Sequence, residues 1–194
     1  MKRIAGIFII PVLLLSCSKE KIVPLKPAVI STGFTKYTIQ KGQNYCDQNG
    51  FAIVQYAELK FIAKFDSTAI YQTVIPDNQF DINKLYGFSD NNADHQQFSA
   101  RFGWRWSDNA LRLFGYVYNN GVRSSKELGT VSIGAENNCS IKVTSTSYVF
   151  TLNGETDSLP RTAATALGSG YKLYPYFGGD ETAPHDIAIW IKEL

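Results

Sequence analysis

Residues 98–121, FSARFGWRWSDNALRLFGYVYNNG, constrain the fold most, because two alternating aromatic runs flank a short polar turn. The four residues SDNA at 107–110 are turn-forming, so the segment predicts a β-hairpin. A turn with an even number of residues at this position places Trp106 opposite Leu111. That pair sets the register, so it determines which residues face each other along the rest of the two strands.

This register gives the hairpin two different faces. One face is apolar and pairs Trp104 with Leu113, Phe102 with Gly115, and Ala100 with Val117. The other face carries three arginines and three aromatic rings: Arg101, Arg105, Arg112, Phe114, Tyr116 and Tyr118. A core needs only the apolar face, so we predict a ligand-binding surface on the second face. The alternative is a solvated sheet face with cation–π pairs, such as Arg101 on Tyr116.

Short strand-like runs separated by turn residues continue over residues 34–194. Residues 57–65 alternate apolar and polar positions, residues 70–75 predict a further strand, and Asn153-Gly154 predicts a tight turn. No stretch has a helical period over ten or more residues, and 44% apolar residues are enough for a core. The pattern predicts an all-β, antiparallel sandwich or barrel of about nine to twelve strands.

The N-terminus has the features of an export signal. Lys2 and Arg3 precede an apolar run over residues 4–15 that is too short to span a bilayer. The following LLSC at 14–17 resembles the lipobox of bacterial lipoproteins, which implies lipidation of Cys17. The alternative is an ordinary secretory signal with a coincidental cysteine. We therefore predict a signal peptide at 1–16, a lipid-anchored linker at 17–33 and a β-sandwich domain at 34–194.

The charge balance excludes one class of partner. The chain has 19 Lys and Arg residues, and two of them, Lys2 and Arg3, lie in the signal, which leaves 17 basic against 17 acidic residues. Without a basic tract, nucleic-acid binding is not predicted. Membrane attachment would come from the N-terminal lipid, and we expect an outer-membrane lipoprotein facing the periplasm or the cell surface.

Two cysteines, Cys46 and Cys139, remain after the lipidated one. Outside the cytoplasm they are free to form a disulfide that would close a long loop. Two separate buried thiols are the equal alternative, because sequence spacing does not report distance.

Two segments resemble the concanavalin A-like jelly rolls, which include legume lectins and many polysaccharide-active enzymes. YVFTLNGE at 148–155 resembles a strand-and-turn hairpin of that superfamily, and HDIAIWI at 185–191 resembles its closing strand. Together with the lipobox and SKE at 18–20, they resemble Bacteroidota lipoproteins that handle glycans. The resemblance implies a jelly-roll sandwich and a carbohydrate ligand.

The residue types on the second hairpin face suit an acidic glycan. Sugar rings pack on aromatic side chains, and arginine binds carboxylates bidentately. His95, in the polar loop before the hairpin, is expected at the rim of this face. We predict glycan binding without catalysis.

Two other functions remain open. The first is a polysaccharide lyase acting on a uronate-containing glycan, in which Arg101, Tyr116 and His95 would act. The second is a structural or protein-interaction module, which would expose a flat apolar patch. A glycoside hydrolase is disfavoured, because no strand carries the paired carboxylates that such enzymes need.

No cofactor is required by the sequence, but two loops have oxygen-rich side chains. Asp90, Asn92 and Asp94 alternate as calcium ligands do, although the glycine and distal glutamate of an EF-hand are missing. Asp180-Glu181 forms the second such loop. A structural calcium ion at either loop is the alternative to an ordinary polar turn.

Overall fold

A computed structural model describes residues 33–194, which form twelve β-strands and two short 3-10 helices. The first six strands are β1 Thr35–Ile39, β2 Ile53–Tyr56, β3 Glu58–Phe65, β4 Asn83–Ser89, β5 Phe98–Ser107 and β6 Ala110–Asn119. The last six are β7 Val122–Val131, β8 Glu136–Val143, β9 Ser147–Leu152, β10 Glu155–Pro160, β11 Gly168–Leu173 and β12 Ile187–Glu193. The 3-10 helices span Ser67–Ala69 and Pro76–Phe80.

The strands form two six-stranded antiparallel sheets. The first sheet has the order β1-β12-β3-β8-β9-β10, and the second has the order β2-β11-β4-β5-β6-β7. Apart from the β8-β9-β10 and β4-β5-β6-β7 meanders, neighbouring strands are distant in sequence. The predicted all-β antiparallel sandwich is confirmed.

Aromatic side chains fill the space between the two sheets. The Phe102 ring of the second sheet lies edge-on to Phe61 at 5.5 Å and to Phe150 at 5.4 Å, both in the first sheet. Trp104 continues the row against Phe65 at 5.5 Å. Full burial of each such side chain contributes about 1.5–3 kcal/mol, so this row holds the sheets together.

The β5–β6 hairpin has the predicted register at every pair, from Ser107 opposite Ala110 to Phe98 opposite Asn119. Asp108 and Asn109 have positive φ angles of 51° and 56°, which is typical of a type I′ two-residue turn. The apolar face packs into the core, and the second face therefore points away from the first sheet.

The strand predicted at residues 70–75 is wrong. Its backbone N–H groups bond to side chains instead of to a neighbouring strand. Thr73 donates to Gln79 at 2.9 Å, while Val74 and Ile75 donate to the Glu181 carboxylate at 2.9 and 2.8 Å. The apolar alternation of this segment therefore belongs to a loop between the two 3-10 helices.

Cys46 and Cys139 are separate buried thiols, and not a disulfide. Cys46 pairs with Ile39 on the outer side of β1, and Cys139 lies on β8, with β12 and β3 between them. Four strand spacings of about 4.8 Å separate the thiols by roughly 19 Å, beyond the reach of a disulfide. Burial raises the pKa of Cys46 to about 11 and also raises that of Cys139.

The predicted signal peptide, the lipidation site Cys17 and all but the last residue of the linker lie outside the described residues. Within residues 33–194, no helix is long and apolar enough to cross a membrane.

Candidate functional site

A cleft of about 580 Å³ lies on the second sheet, on the face that points away from the core. Strands β4, β5 and β6 form its floor, while residues 45–51 and the chain from β11 to Gly179 form its walls. Seven aromatic residues line it: Tyr45, Phe51, Tyr116, Tyr118, Tyr171, Tyr174 and Tyr176. Its cations include Lys84, Arg101 and Arg123.

The structure divides the predicted ligand surface into two parts. Arg101, Tyr116 and Tyr118 line the cleft, and His95 lies in its wall as expected. The other three predicted residues, Arg105, Arg112 and Phe114, do not line it.

Those three residues are engaged elsewhere. The Arg105 guanidinium lies between the rings of Phe114 at 4.8 Å and Phe80 at 5.5 Å, and it donates to the Phe80 carbonyl at 2.8 Å. Arg112 pairs with Glu127 at 2.9 Å and with Asp108 at 3.2 Å. The segment that ends at Phe80 thus covers one half of the hairpin face. The hairpin sequence alone does not predict that a distant segment covers part of this face.

Arg101 forms the floor of the cleft. Only 7% of its surface is exposed, and its Nε is buried without a hydrogen-bond partner among the described residues. No carboxylate within residues 33–194 forms an ion pair with it. Burial lowers the pKa of Arg101, although arginine stays charged in proteins. An uncompensated buried cation is costly to the fold, and a bound anion would offset that cost.

Lys84 on β4 lies beside Arg101 in the floor. Its Nζ donates to the Gly178 carbonyl at 2.7 Å and lies over the rings of Tyr116 at 5.3 Å and Tyr176 at 5.7 Å. Burial, followed by the charge of Arg101, lowers the pKa of Lys84 to about 8. Sequence reasoning did not predict Lys84 as a site residue, because β4 joins the hairpin only in the folded sheet.

His95 and Tyr171 form a polar pair at the edge of the cleft. The Tyr171 hydroxyl lies 2.9 Å from Nδ1 of His95 and 3.3 Å from the carboxylate of Asp94. Burial and the charge of Arg101 lower the pKa of His95, which favours a neutral imidazole. A neutral imidazole keeps a lone pair on one ring nitrogen, so His95 can act as a proton acceptor, although the charge of Arg101 lowers its basicity.

Two pairs of rings build the outer wall, and sequence reasoning missed all four residues. Tyr45 lies edge-on to Tyr176 at 4.9 Å, and Phe51 lies 5.7 Å from Tyr171. Phe51 is 78% exposed and Tyr45 is 66% exposed, so these rings offer apolar surface to a ligand. The closely spaced tyrosines at positions 171, 174 and 176 could have been predicted as site residues from the sequence. The isolated rings at positions 45 and 51 could not.

The loop proposed for calcium has a different role. Asp90 is fully buried and accepts hydrogen bonds from Arg161 at 2.7 Å, from the Tyr148 hydroxyl at 2.7 Å and from the Ser169 N–H at 3.0 Å. Asp94 instead faces the cleft, and the Asn92 N–H donates to the Ser169 carbonyl. The positive charge that neutralises Asp90 is thus an arginine, and the three predicted ligands do not form one set.

The second oxygen-rich loop is also engaged. The Glu181 carboxylate accepts hydrogen bonds from the backbone of Val74 and Ile75 and from the Asn78 side chain. Among residues 33–194, no group of three or more His, Cys, Asp or Glu side chains is placed to hold a metal ion.

Asp94 is the single carboxylate among the described residues that line the cleft. Glycosidases of the usual kind act through two carboxylates that flank the scissile bond. The cleft therefore has cations and aromatic rings in place of the acid pair that hydrolysis needs.

Comparison with known proteins identifies the fold. No protein-family model matches the chain, and no curated protein matches it in sequence. Among solved structures, it is similar to LamAcat from Zobellia galactanivorans, with 11% identity, 84% of this chain and 76% of that chain covered, and a TM-score of 0.54. It is also similar to a glycoside hydrolase family 16 endo-glucanase from Bacteroides ovatus, with 11% identity, 82% and 80% coverage and a TM-score of 0.52.

A third similar structure is the alginate lyase AlyC3, with 10% identity, 80% of this chain and 71% of that chain covered, and a TM-score of 0.52. At such identities the similarity concerns the fold. Residues 33–194 form a concanavalin A-like jelly roll, as the segments at 148–155 and 185–191 predicted.

Proposed function

We propose that the cleft binds a carbohydrate that carries a carboxylate. The observation that carries this proposal is Arg101, a buried cation at the floor of the cleft whose Nε has no partner among the described residues. A ligand carboxylate would supply the missing negative charge, and arginine is the side chain best suited to bind a carboxylate bidentately.

The walls of the cleft support a sugar as the carrier of that carboxylate. Sugar rings present C–H faces, and the exposed rings of Tyr45 and Phe51 offer apolar surface for them. Similar folds include an endo-glucanase and an alginate lyase, which adds support. A protein-interaction module is less favoured, because the cleft is concave and charged, although Val74, Ile75 and Phe80 are exposed elsewhere.

Arg101→Gln is expected to weaken binding of an acidic oligosaccharide by about 30-fold, because the lost charge-assisted hydrogen bonds are worth about 2 kcal/mol. Isothermal titration calorimetry of the full-length protein with oligogalacturonates and alginate oligosaccharides measures the effect. Arg112→Gln is the matched control, since Arg112 lies on the same hairpin face outside the cleft and should leave the affinity unchanged.

Equal losses from Arg101→Gln and Arg112→Gln would contradict the proposal, as would tighter binding of neutral than of acidic oligosaccharides. Thermal unfolding of each variant separates a loss of binding from a loss of folding. Arg101→Lys gives a second test, because it keeps the charge and loses only the bidentate geometry.

A second candidate is a lyase, favoured by the neutral His95 beside Arg101. In a β-elimination, Arg101 would neutralise the uronate carboxylate, which acidifies the adjacent C–H bond. His95 would take that proton, a C=C bond would form, and the C–O bond to the departing sugar would break. The Tyr116 hydroxyl would protonate the departing oxygen.

Cleavage by elimination is expected to give an unsaturated uronide with strong ultraviolet absorbance. His95→Gln should slow its formation by about 100-fold or more, with oligosaccharide affinity largely kept. If absorbance stays flat with every uronate that binds, the lyase is excluded and binding alone remains.

We also propose that a lipid on Cys17 attaches the protein to the outer membrane, on the periplasmic side or at the cell surface. The basic start, the short apolar run and LLSC at 14–17 support this proposal.

A further inference from the structure

The cations of the second sheet fall into two groups. Four of them bond to an acidic side chain or are enclosed: Arg112 with Glu127, Lys126 with Asp157, Lys172 with Glu193, and Arg105 between two rings. Among the described residues, Lys84, Arg101 and Arg123 have no ion-pair partner. All three line the cleft, so the unbalanced positive charge is concentrated there.

The three cations follow a diagonal across four neighbouring strands. Lys84 lies on β4 and Arg101 on β5, and both contact the Tyr116 ring on β6. Arg123 on β7 lies directly opposite Tyr118, whose ring is 6.0 Å from that of Tyr116. The diagonal therefore starts at the buried floor and ends at an exposed rim.

Arg101 and Arg123 present their charges at two different places in the cleft, since Arg101 is buried in the floor and Arg123 is exposed at the rim. They are separated by two strand spacings of about 4.8 Å and by two residues of about 3.4 Å each, or roughly 12 Å between their backbones. A carboxylate bound by Arg101 in the floor therefore leaves Arg123 at the rim available for a second anionic group.

We infer that the cleft binds two anionic groups of one glycan chain at the same time. The first, a carboxylate, lies at Arg101 beside Lys84, and the second, a carboxylate or a sulfate ester on another sugar unit, lies at Arg123. The tyrosine rings between the two positions face the connecting sugar. The ligand class is thus a glycan with acidic groups on several units, and this inference rests on the proposed binding of an acidic carbohydrate.

Three probes of equal length test the inference by calorimetry on the full-length protein. The first is an oligogalacturonate with every carboxylate free, the second has one free carboxylate and the others methyl-esterified, and the third is a neutral oligosaccharide carrying sulfate esters. The variant is Arg123→Gln. The control is Lys126→Gln, on the same strand, with a lysine that is paired to Asp157 and does not line the cleft.

Arg123→Gln should weaken binding of the fully acidic probe about fivefold, flatten its salt dependence and leave the single-carboxylate probe unchanged. Lys126→Gln should change neither. Any effect of Arg123→Gln on the sulfated probe would identify sulfate as an acceptable second group.

Equal effects of Arg123→Gln on the fully acidic and single-carboxylate probes would overturn the second position, and so would no effect on either. In both cases the Arg101 result still stands, which separates this inference from the proposed function. If no acidic probe binds the wild-type protein, both are overturned together.

Discussion

Asp90→Asn is expected to lower the free energy of unfolding by about 3–5 kcal/mol, because it leaves a buried arginine without its counter-charge. Asp90 and Arg161 are 0% and 1% exposed in their side chains and lie 2.7 Å apart. Tyr148 and the backbone of Ser169 also donate to the same carboxylate. The substitution thus removes the negative charge of a fully hydrogen-bonded carboxylate and keeps the volume of the side chain.

Urea unfolding measures this loss, and Asp157→Asn is the control. Asp157 pairs with Lys126 at the surface, and such pairs contribute about 0–1 kcal/mol. Equal losses from the two variants would contradict a structural role for the Asp90 pair. A double-mutant cycle with Arg161→Met would then report the coupling between the two charges.

The effect of Asp90→Asn should depend on pH. Burial alone would raise the pKa of Asp90, but hydrogen bonds from Arg161 and Tyr148 outweigh burial and hold it below its usual value. The stabilisation is therefore complete above the unfolded-state pKa of about 4 and is lost as the pH falls through the folded-state value. The difference between wild type and variant should shrink in acid.

The ion pair between Asp90 and Arg161 also helps to position His95 in the cleft. Asp90 begins the loop that carries His95, and it binds Arg161, Thr165 and Ser169 from a distant part of the chain. Fixing the start of this loop helps to place His95 beside Tyr171.

Sequence reasoning succeeded where the controlling interactions are local. The β5–β6 register follows from one two-residue turn and from strand alternation, and every pair was predicted correctly. It failed where the partner is distant: Asp90 meets Arg161 across 71 positions, and Glu181 holds residues 74 and 75 out of a strand. Lys84 and the outer wall of the cleft were not predicted for the same reason, because they join the site through contacts between distant parts of the chain.

The hairpin face shows this limit most clearly. Strand alternation correctly predicts that six residues lie on one face of the hairpin. It does not predict which part of that face is covered by another segment of the chain. Phe80 covers the half with Arg105, and the half with Arg101 stays accessible as a cleft. The six residues therefore share one face, as predicted, but only Arg101, Tyr116 and Tyr118 among them line the cleft.

Arg101→Met is expected to raise the free energy of unfolding by about 1–3 kcal/mol while abolishing binding of acidic oligosaccharides. Methionine keeps the apolar stem and fills an irregular space well. It removes a buried charge that has no counter-charge and an Nε that has no partner among the described residues. Thermal and urea unfolding of the full-length protein measure the first effect, and calorimetry with oligogalacturonate measures the second.

The two effects together distinguish a ligand-binding arginine from a structural one. If Arg101 served the fold through its contact with the Tyr116 ring, Arg101→Met would lower stability. Arg112→Met provides the reference, since it removes two surface ion pairs and should lower stability by less than about 1 kcal/mol. A gain in stability with a loss of binding would show that the fold tolerates an unfavourable buried charge which only a bound anion neutralises, as expected when function opposes stability.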